Sequence, residues 1–176
     1  MPEILIDRDM IAHRVAELAR EIRRDAGPDI SVHLVAVLKG AFVFLADLMR
    51  AVDGPVTCDF MAVSSYGAGH TSSGRVKILK DLDHPLDGRY VVLVEDIVDS
   101  GLTLSHLQAL LLGRAPRTLK TVALLDKQSR RRVEVMVDYV GFAISDKFVV
   151  GYGLDDDEQH RNLPYIGVLG SSVDVG

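Results

Sequence analysis

Val91-Val92-Leu93-Val94-Glu95-Asp96-Ile97-Val98-Asp99-Ser100-Gly101-Leu102-Thr103-Leu104 is the stretch from which the fold is read. Its apolar opening, bounded by polar residues, suits a strand buried on both faces of a parallel sheet. Helical spacing takes over across 104–112. Strand, short glycine-containing turn and helix aim backbone N–H groups and a helix N-terminus at an anion. Gly101 is free to take a positive φ and lets an anion approach the backbone. The hydroxyls of Ser100 and Thr103 donate to phosphate oxygens or cap the helix.

Glu95 and Asp96 sit oddly ahead of such a cradle, because carboxylates repel phosphate. They make sense if something lies between them and the anion, such as the two hydroxyls of a ribose, from which acids accept hydrogen bonds. Two acids alone are more often a solvated strand end. The whole run, with its turn and helix, points to a ribose 5-phosphate.

Upstream, 10–24 places Ile11, Val15, Leu18, Ala19 and Ile22 on one face of an amphipathic helix closed by Gly27-Pro28. A buried strand over 32–38 leads through Leu38-Lys39-Gly40 into a helix over 42–50, packed by Phe42, Leu45 and Met49. This is again strand end, small turn and helix start, where ligands of open α/β sheets collect. A strand over 56–63 and another over 75–80 flank the small, polar, glycine-rich loop 64–74, the kind of long loop that acts as a lid. Downstream, a parallel strand over 118–125 ends in Asp126-Lys127, on the same edge as Glu95 and Asp96. Short strands follow at 137–144, 148–152 and 166–169. Arg130-Arg131-Arg132 reads as a solvated basic turn, and Asp156 and Glu158 as a solvated acidic face.

A chain of 176 residues with 48% hydrophobic and 26% charged content fits one globular domain. The net charge of −5 gives no reason to expect a nucleic-acid partner. One cysteine, Cys58, excludes an internal disulfide and suits a reducing compartment. Residues 1–9 lack the blocks of a signal peptide, and no apolar run reaches membrane-spanning length, so a cytoplasmic protein with no membrane partner is expected. The histidines show no metal-ligand spacing.

Residues 92–103 resemble the phosphoribosyl-pyrophosphate binding motif of the type I phosphoribosyltransferases, with Ser100 where many members have Thr. Within that family the chain is most similar to the hypoxanthine-guanine branch. That narrower likeness rests on Lys127 and on Val140-Gly141-Phe142 through Asp146-Lys147-Phe148-Val149-Val150-Gly151-Tyr152-Gly153-Leu154-Asp155, which resemble its purine-binding hood. The resemblance implies an α/β fold, a central, mostly parallel sheet flanked by helices with a small hood subdomain. The domain would span 1–176, with a core over 10–145, a flexible loop at 64–74 and a hood formed mainly by 146–176.

It implies transfer of the 5-phosphoribosyl group from phosphoribosyl pyrophosphate to N9 of hypoxanthine or guanine, with Mg2+ as cofactor. Lys39 and Gly40 would form the pyrophosphate loop, with a non-proline cis peptide, and Ser65 and Tyr66 a closing flap. Glu95, Asp96 and Ile97 would line the ribose side, and Asp99, Ser100, Gly101, Leu102 and Thr103 the 5-phosphate. Asp99 matches the catalytic general base. Lys127 would meet O6, Phe148 would stack on the base, and Val149 would meet its far edge. Asp155 matches a Mg2+ ligand, assisted by Glu95 and Asp96, and Arg161 a pyrophosphate contact. Relatives are commonly homodimers or homotetramers. Two other readings stay open: a regulator that kept the ligand domain and lost catalysis, and an enzyme for another base. The first needs a DNA-binding segment or basic face, and Lys127 with Phe148-Val149 speaks against the second.

Overall fold

The structure is a computed structural model that describes residues 1–65 and 76–170. In chain order its elements are β1 (Glu3–Ile6), α1 (Arg8–Ala26), β2 (Val32–Leu38), α2 (Phe42–Ala51), β3 (Val56–Ser65), β4 (Val76–Lys80), β5 (Tyr90–Val98), α3 (Leu102–Leu112), β6 (Thr118–Asp126), β7 (Tyr139–Ala143), β8 (Val149–Val150) and β9 (Ile166–Val168). Ile11, Val15, Leu18, Ala19 and Ile22 recur every three or four residues and are buried on one face of α1. Asp7 caps that helix by accepting the Met10 N–H at 2.8 Å, and Gly27 ends it with φ 92°.

Six strands form one sheet in the order β4-β3-β2-β5-β6-β7. β3, β2, β5, β6 and β7 are parallel, and β4 runs antiparallel at the edge. The alternation of side chains splits the core into two layers. Leu34, Ala36, Val92 and Val94 pack with α1 and α2, while Val35, Val37, Val91 and Leu93 pack with α3. β2 and the first half of β5 are therefore nearly continuous apolar runs, interrupted only by His33, as strands covered on both faces tend to be.

A second sheet, β1-β9-β8, is antiparallel, and two of its strands fall within the segment expected as a hood. β1 has no counterpart in the sequence reading, and it brings the N-terminus into a hood expected mainly from 146–176. Other bounds shift as well. The strand expected over 56–63 continues through Ser65, and α3 starts at Leu102, two residues before the helical spacing becomes visible. The two hood strands are shorter than their apolar patterns, and Phe148 precedes β8. α2 buries Phe44, Leu45 and Leu48, leaving Phe42 43% exposed and Met49 half-buried, so its inward face is rotated from the expected Phe42, Leu45, Met49. No helix among the described residues is long and apolar enough to cross a membrane.

Candidate functional site

Because β3, β2, β5 and β6 are parallel neighbours, the segments that follow them open at one edge of the sheet. Lys39 follows β2, Asp99 follows β5 and Lys127 follows β6, so residues far apart in sequence share that edge. Ser65 ends β3 there. Its side chain, Tyr66 and the rest of the expected lid over 66–74 lie outside the described residues.

The turn after β5 has the predicted character with one change of reason. Gly101 takes φ 83° and stands at the N-cap of α3 without a side-chain cap. A Cβ on Gly101 would come within 3.0 Å of Arg131 Cδ and 3.1 Å of Val135 Cγ2, so its bareness also admits the following loop. The Ser100 hydroxyl accepts the Leu102 N–H at 3.3 Å. The N–H groups of Gly101, Thr103 and Leu104 find no acceptor among the described residues, the usual state of a helix start awaiting an anion. These residues line a cavity of about 250 Å³ together with Glu95, Asp96, Ile97, Asp99 and Ser100. A larger concavity of about 840 Å³ lies between α1, α2 and 161–164, but it lacks this convergence of amides and carboxylates.

Glu95 is 8% exposed, and burial first, then the neighbouring Asp96, pushes its carboxyl well above the usual range. Burial likewise lifts Asp96 to about 6, aided by Asp155 and opposed by the Ile97 N–H that it accepts at 2.8 Å. Three acids thus crowd one region, and a cation there would relieve them. Among the described residues no three metal-ligating side chains stand close enough to hold a metal alone. An oxygen-only set that leaves most positions to a ligand and water suits Mg2+.

The Leu38–Lys39 peptide is cis. Gly40 lies so close to Asp96 that a Cβ there would overlap the carboxylate, and a Cβ on Gly153 would overlap the Gly40 carbonyl. The turn after β2, the end of β5 and the hood therefore nest backbone against side chain with no room between them. Arg161 donates to the Gly153 carbonyl at 2.8 Å and pairs with Asp155 at 3.0 Å.

Glu158 is exposed, as the sequence reading expects, and is paired as well. Rather than facing solvent alone, its carboxylate meets Lys39 Nζ at 2.7 Å and Arg161 at 3.1 Å. Lys39, then Arg161, holds its carboxyl below the usual range. In the basic turn Arg130 and Arg132 are exposed, as expected, and Arg131 is half-buried. Arg131 pairs with the buried Asp126 and donates to the Asp99 carbonyl at 3.0 Å, while the Arg132 N–H reaches the Ser100 carbonyl at 2.8 Å. Arg130 links Asp99 at 3.2 Å to Asp146 at 3.3 Å. These three arginines fasten the loop after β6 onto the turn after β5. The contacts of Glu158 with Lys39 and of Arg130 and Arg131 with Asp99 carried no sequence signal, because those partners are remote along the chain.

On the remaining side, Lys127 is 7% exposed, with Nζ 3.8 Å from Asp146. Phe148 is 56% exposed, with a face available for stacking, and Val149 is buried in β8 beside it. The edge thus gathers a helix-start turn with free amides, paired acids, two cations beside the cis turn, and a buried lysine.

Residues 5–157 match the family described as phosphoribosyl transferase domain. A hypoxanthine-guanine phosphoribosyltransferase of Aquifex aeolicus (strain VF5) is 49% identical over 164 residues, 93% of this chain and 92% of its own. A protein of the same name from Mycobacterium avium is 51% identical over 175 residues, covering 97% of this chain and 86% of that one. A solved hypoxanthine-guanine phosphoribosyltransferase from Bacillus anthracis superposes with TM-score 0.93 at 45% identity, over 97% of this chain and 99% of the other.

Proposed function

The chain belongs to the phosphoribosyltransferase family, and from that premise we propose that it transfers the 5-phosphoribosyl group of phosphoribosyl pyrophosphate to N9 of hypoxanthine or guanine. The products are IMP or GMP and pyrophosphate. The observation that carries the reading is the meeting, at one sheet edge, of the unpartnered helix-start amides, the Glu95-Asp96 pair and the sequestered Lys127.

The amides of Gly101, Thr103 and Leu104, with the Ser100 and Thr103 hydroxyls, hold the 5-phosphate. Glu95 and Asp96 take the ribose side. Lys39 and Arg161 draw charge from the departing pyrophosphate as the C1–oxygen bond breaks. The ribose carbon passes through an oxocarbenium-like state, as in glycoside cleavage. The C1–N9 bond forms on the opposite face, and Asp99 accepts the proton that the purine ring gives up. Mg2+, held by Asp155 with Glu95 and Asp96 nearby, would supply charge neutralisation to the pyrophosphate. Lys127, a pure donor, satisfies the O6 acceptor of a 6-oxopurine, whereas adenine presents donors there. A buried donor left facing another donor discriminates by powers of ten. Phe148 stacks on the base and the Val149 backbone meets its far edge. Assembly into a homodimer or homotetramer belongs to the same proposal.

The test is an assay with Mg2+, phosphoribosyl pyrophosphate and each of hypoxanthine, guanine, xanthine, adenine and uracil, following nucleotide by chromatography. Turnover confined to 6-oxopurines is expected. Equal rates with adenine would overturn the role of Lys127, and tight phosphoribosyl-pyrophosphate binding without turnover on any base would favour a regulator.

A further inference from the structure

The two cations assigned to the leaving group are both engaged within the chain itself. Each is engaged by a different oxygen of Glu158: Oε2 lies 2.7 Å from Lys39 Nζ, and Oε1 lies 3.1 Å from the Arg161 guanidinium. The partners come from separate elements, the turn after β2 and the segment after the hood strand β8. The carboxylate therefore closes a bridge across the site. Its backbone is held for that purpose. Asp157, Glu158 and His160 all take positive φ, at 48°, 64° and 73°, a region that side chains avoid. The Glu158 N–H is fastened to Asp155 at 2.8 Å. Strain of this kind persists where surrounding structure over-determines it, and it gathers at functional sites. The bridge is nonetheless displaceable, because Lys39 and Glu158 are 65% and 63% exposed at their side chains. Arg161 also keeps its pair to Asp155 at 3.0 Å, so Glu158 is the second carboxylate on that guanidinium and can leave without stripping it of a partner.

We propose that Glu158 is an intramolecular occupant of the pyrophosphate site, a carboxylate that neutralises Lys39 and Arg161 when no pyrophosphate group is bound and competes with one for them. This rests on the assignment of those two cations in the proposed function. The carboxylate offers two oxygens and a single charge. A pyrophosphate group offers more of both and displaces it, and Glu158 returns as the product leaves. The residue thereby sets the affinity for pyrophosphate and for the pyrophosphate end of the substrate. It leaves untouched the affinity for the nucleotide, whose phosphate sits at 99–103.

Glu158→Gln tests this by titration calorimetry with Mg2+ and inorganic pyrophosphate, alongside steady-state kinetics. The exposed pair to Lys39 and the half-buried pair to Arg161 together shift an equilibrium by about three- to tenfold, so the pyrophosphate Kd and the KM for phosphoribosyl pyrophosphate should both fall by about that factor. The Kd for IMP should hold. Asp156→Asn removes the same charge two residues away and should move none of the three. In a Lys39→Gln background the gain from Glu158→Gln should shrink, because only Arg161 remains to be released. Unchanged or weaker pyrophosphate binding in Glu158→Gln overturns the inference, as does an equal shift for IMP or for Asp156→Asn. Absence of phosphoribosyl transfer in the unmodified protein is a separate outcome, since it removes the site assignment on which the inference stands.

Discussion

At Asp96 the needs of the site and of the fold oppose each other, and the sign of the conflict is measurable. The carboxyl is lifted from 3.8 to about 6 by burial. Between those values the folded chain holds a proton that the unfolded chain has released. Stability therefore falls as pH rises through that window, and the full cost of the ionised group is present above it. Glu95 is shifted in the same direction. Asp96→Asn should stabilise the ligand-free protein by about 2 kcal/mol at pH 8 and by little at pH 4, as read by urea denaturation at both values. Equal stabilisation at the two would assign the effect to packing instead. Asp99 gives a complementary case, since its carboxylate is held by Arg130 at the start of the turn after β5. Asp99→Asn should keep phosphoribosyl-pyrophosphate binding while lowering kcat by about 100-fold or more. Unchanged steady-state rates would take the proton-acceptor role from it.

Among elements, α3 depends most on a single residue at its start. Gly101→Ala must force a Cβ into φ 83° and toward Arg131 and Val135. The expected cost is about 1–2 kcal/mol, visible as a lower melting temperature, together with weaker binding of any 5-phosphate ligand. Retention of both would mean that the loop after β6 yields easily. The same element shows what a sequence exposes. β5, the turn and α3 were legible because strand, glycine and helix are contiguous there, and the Leu38-Lys39-Gly40 turn repeats the pattern. Lys127 could be placed because it follows a parallel strand directly. β1 was not legible, since four residues carry no period, and their partner is β9 at the other end of the chain. Glu158 and Arg130 are exposed, as expected, but their ion pairs were not legible for a related reason. A run of like charges is ordinarily solvated, and only the folded backbone brings Lys39 to Glu158 or Asp99 to Arg130. The face of α2 was displaced because Phe42, Leu45 and Met49 satisfy helical spacing as well as Phe44, Leu45 and Leu48 do.

For the molecule as a whole, the hood is stitched from both ends of the chain. Removal of residues 1–6 deletes β1 and leaves β9 with β8 alone, so the strand that carries Val149 loses support. The expected result is a severalfold rise in KM for the purine base with a smaller change for phosphoribosyl pyrophosphate. Equal changes in both would show that the hood does not act as a separate support for the base. Where hood and core meet, Gly40 is pressed between the Asp96 carboxylate and Gly153. Every single-base change in a glycine codon that alters the amino acid either adds a side chain or stops translation. Position 40 thus has no missense neighbour that spares the seam. In a population of randomly mutated genes under selection for this enzyme, its codon should drift only among synonyms.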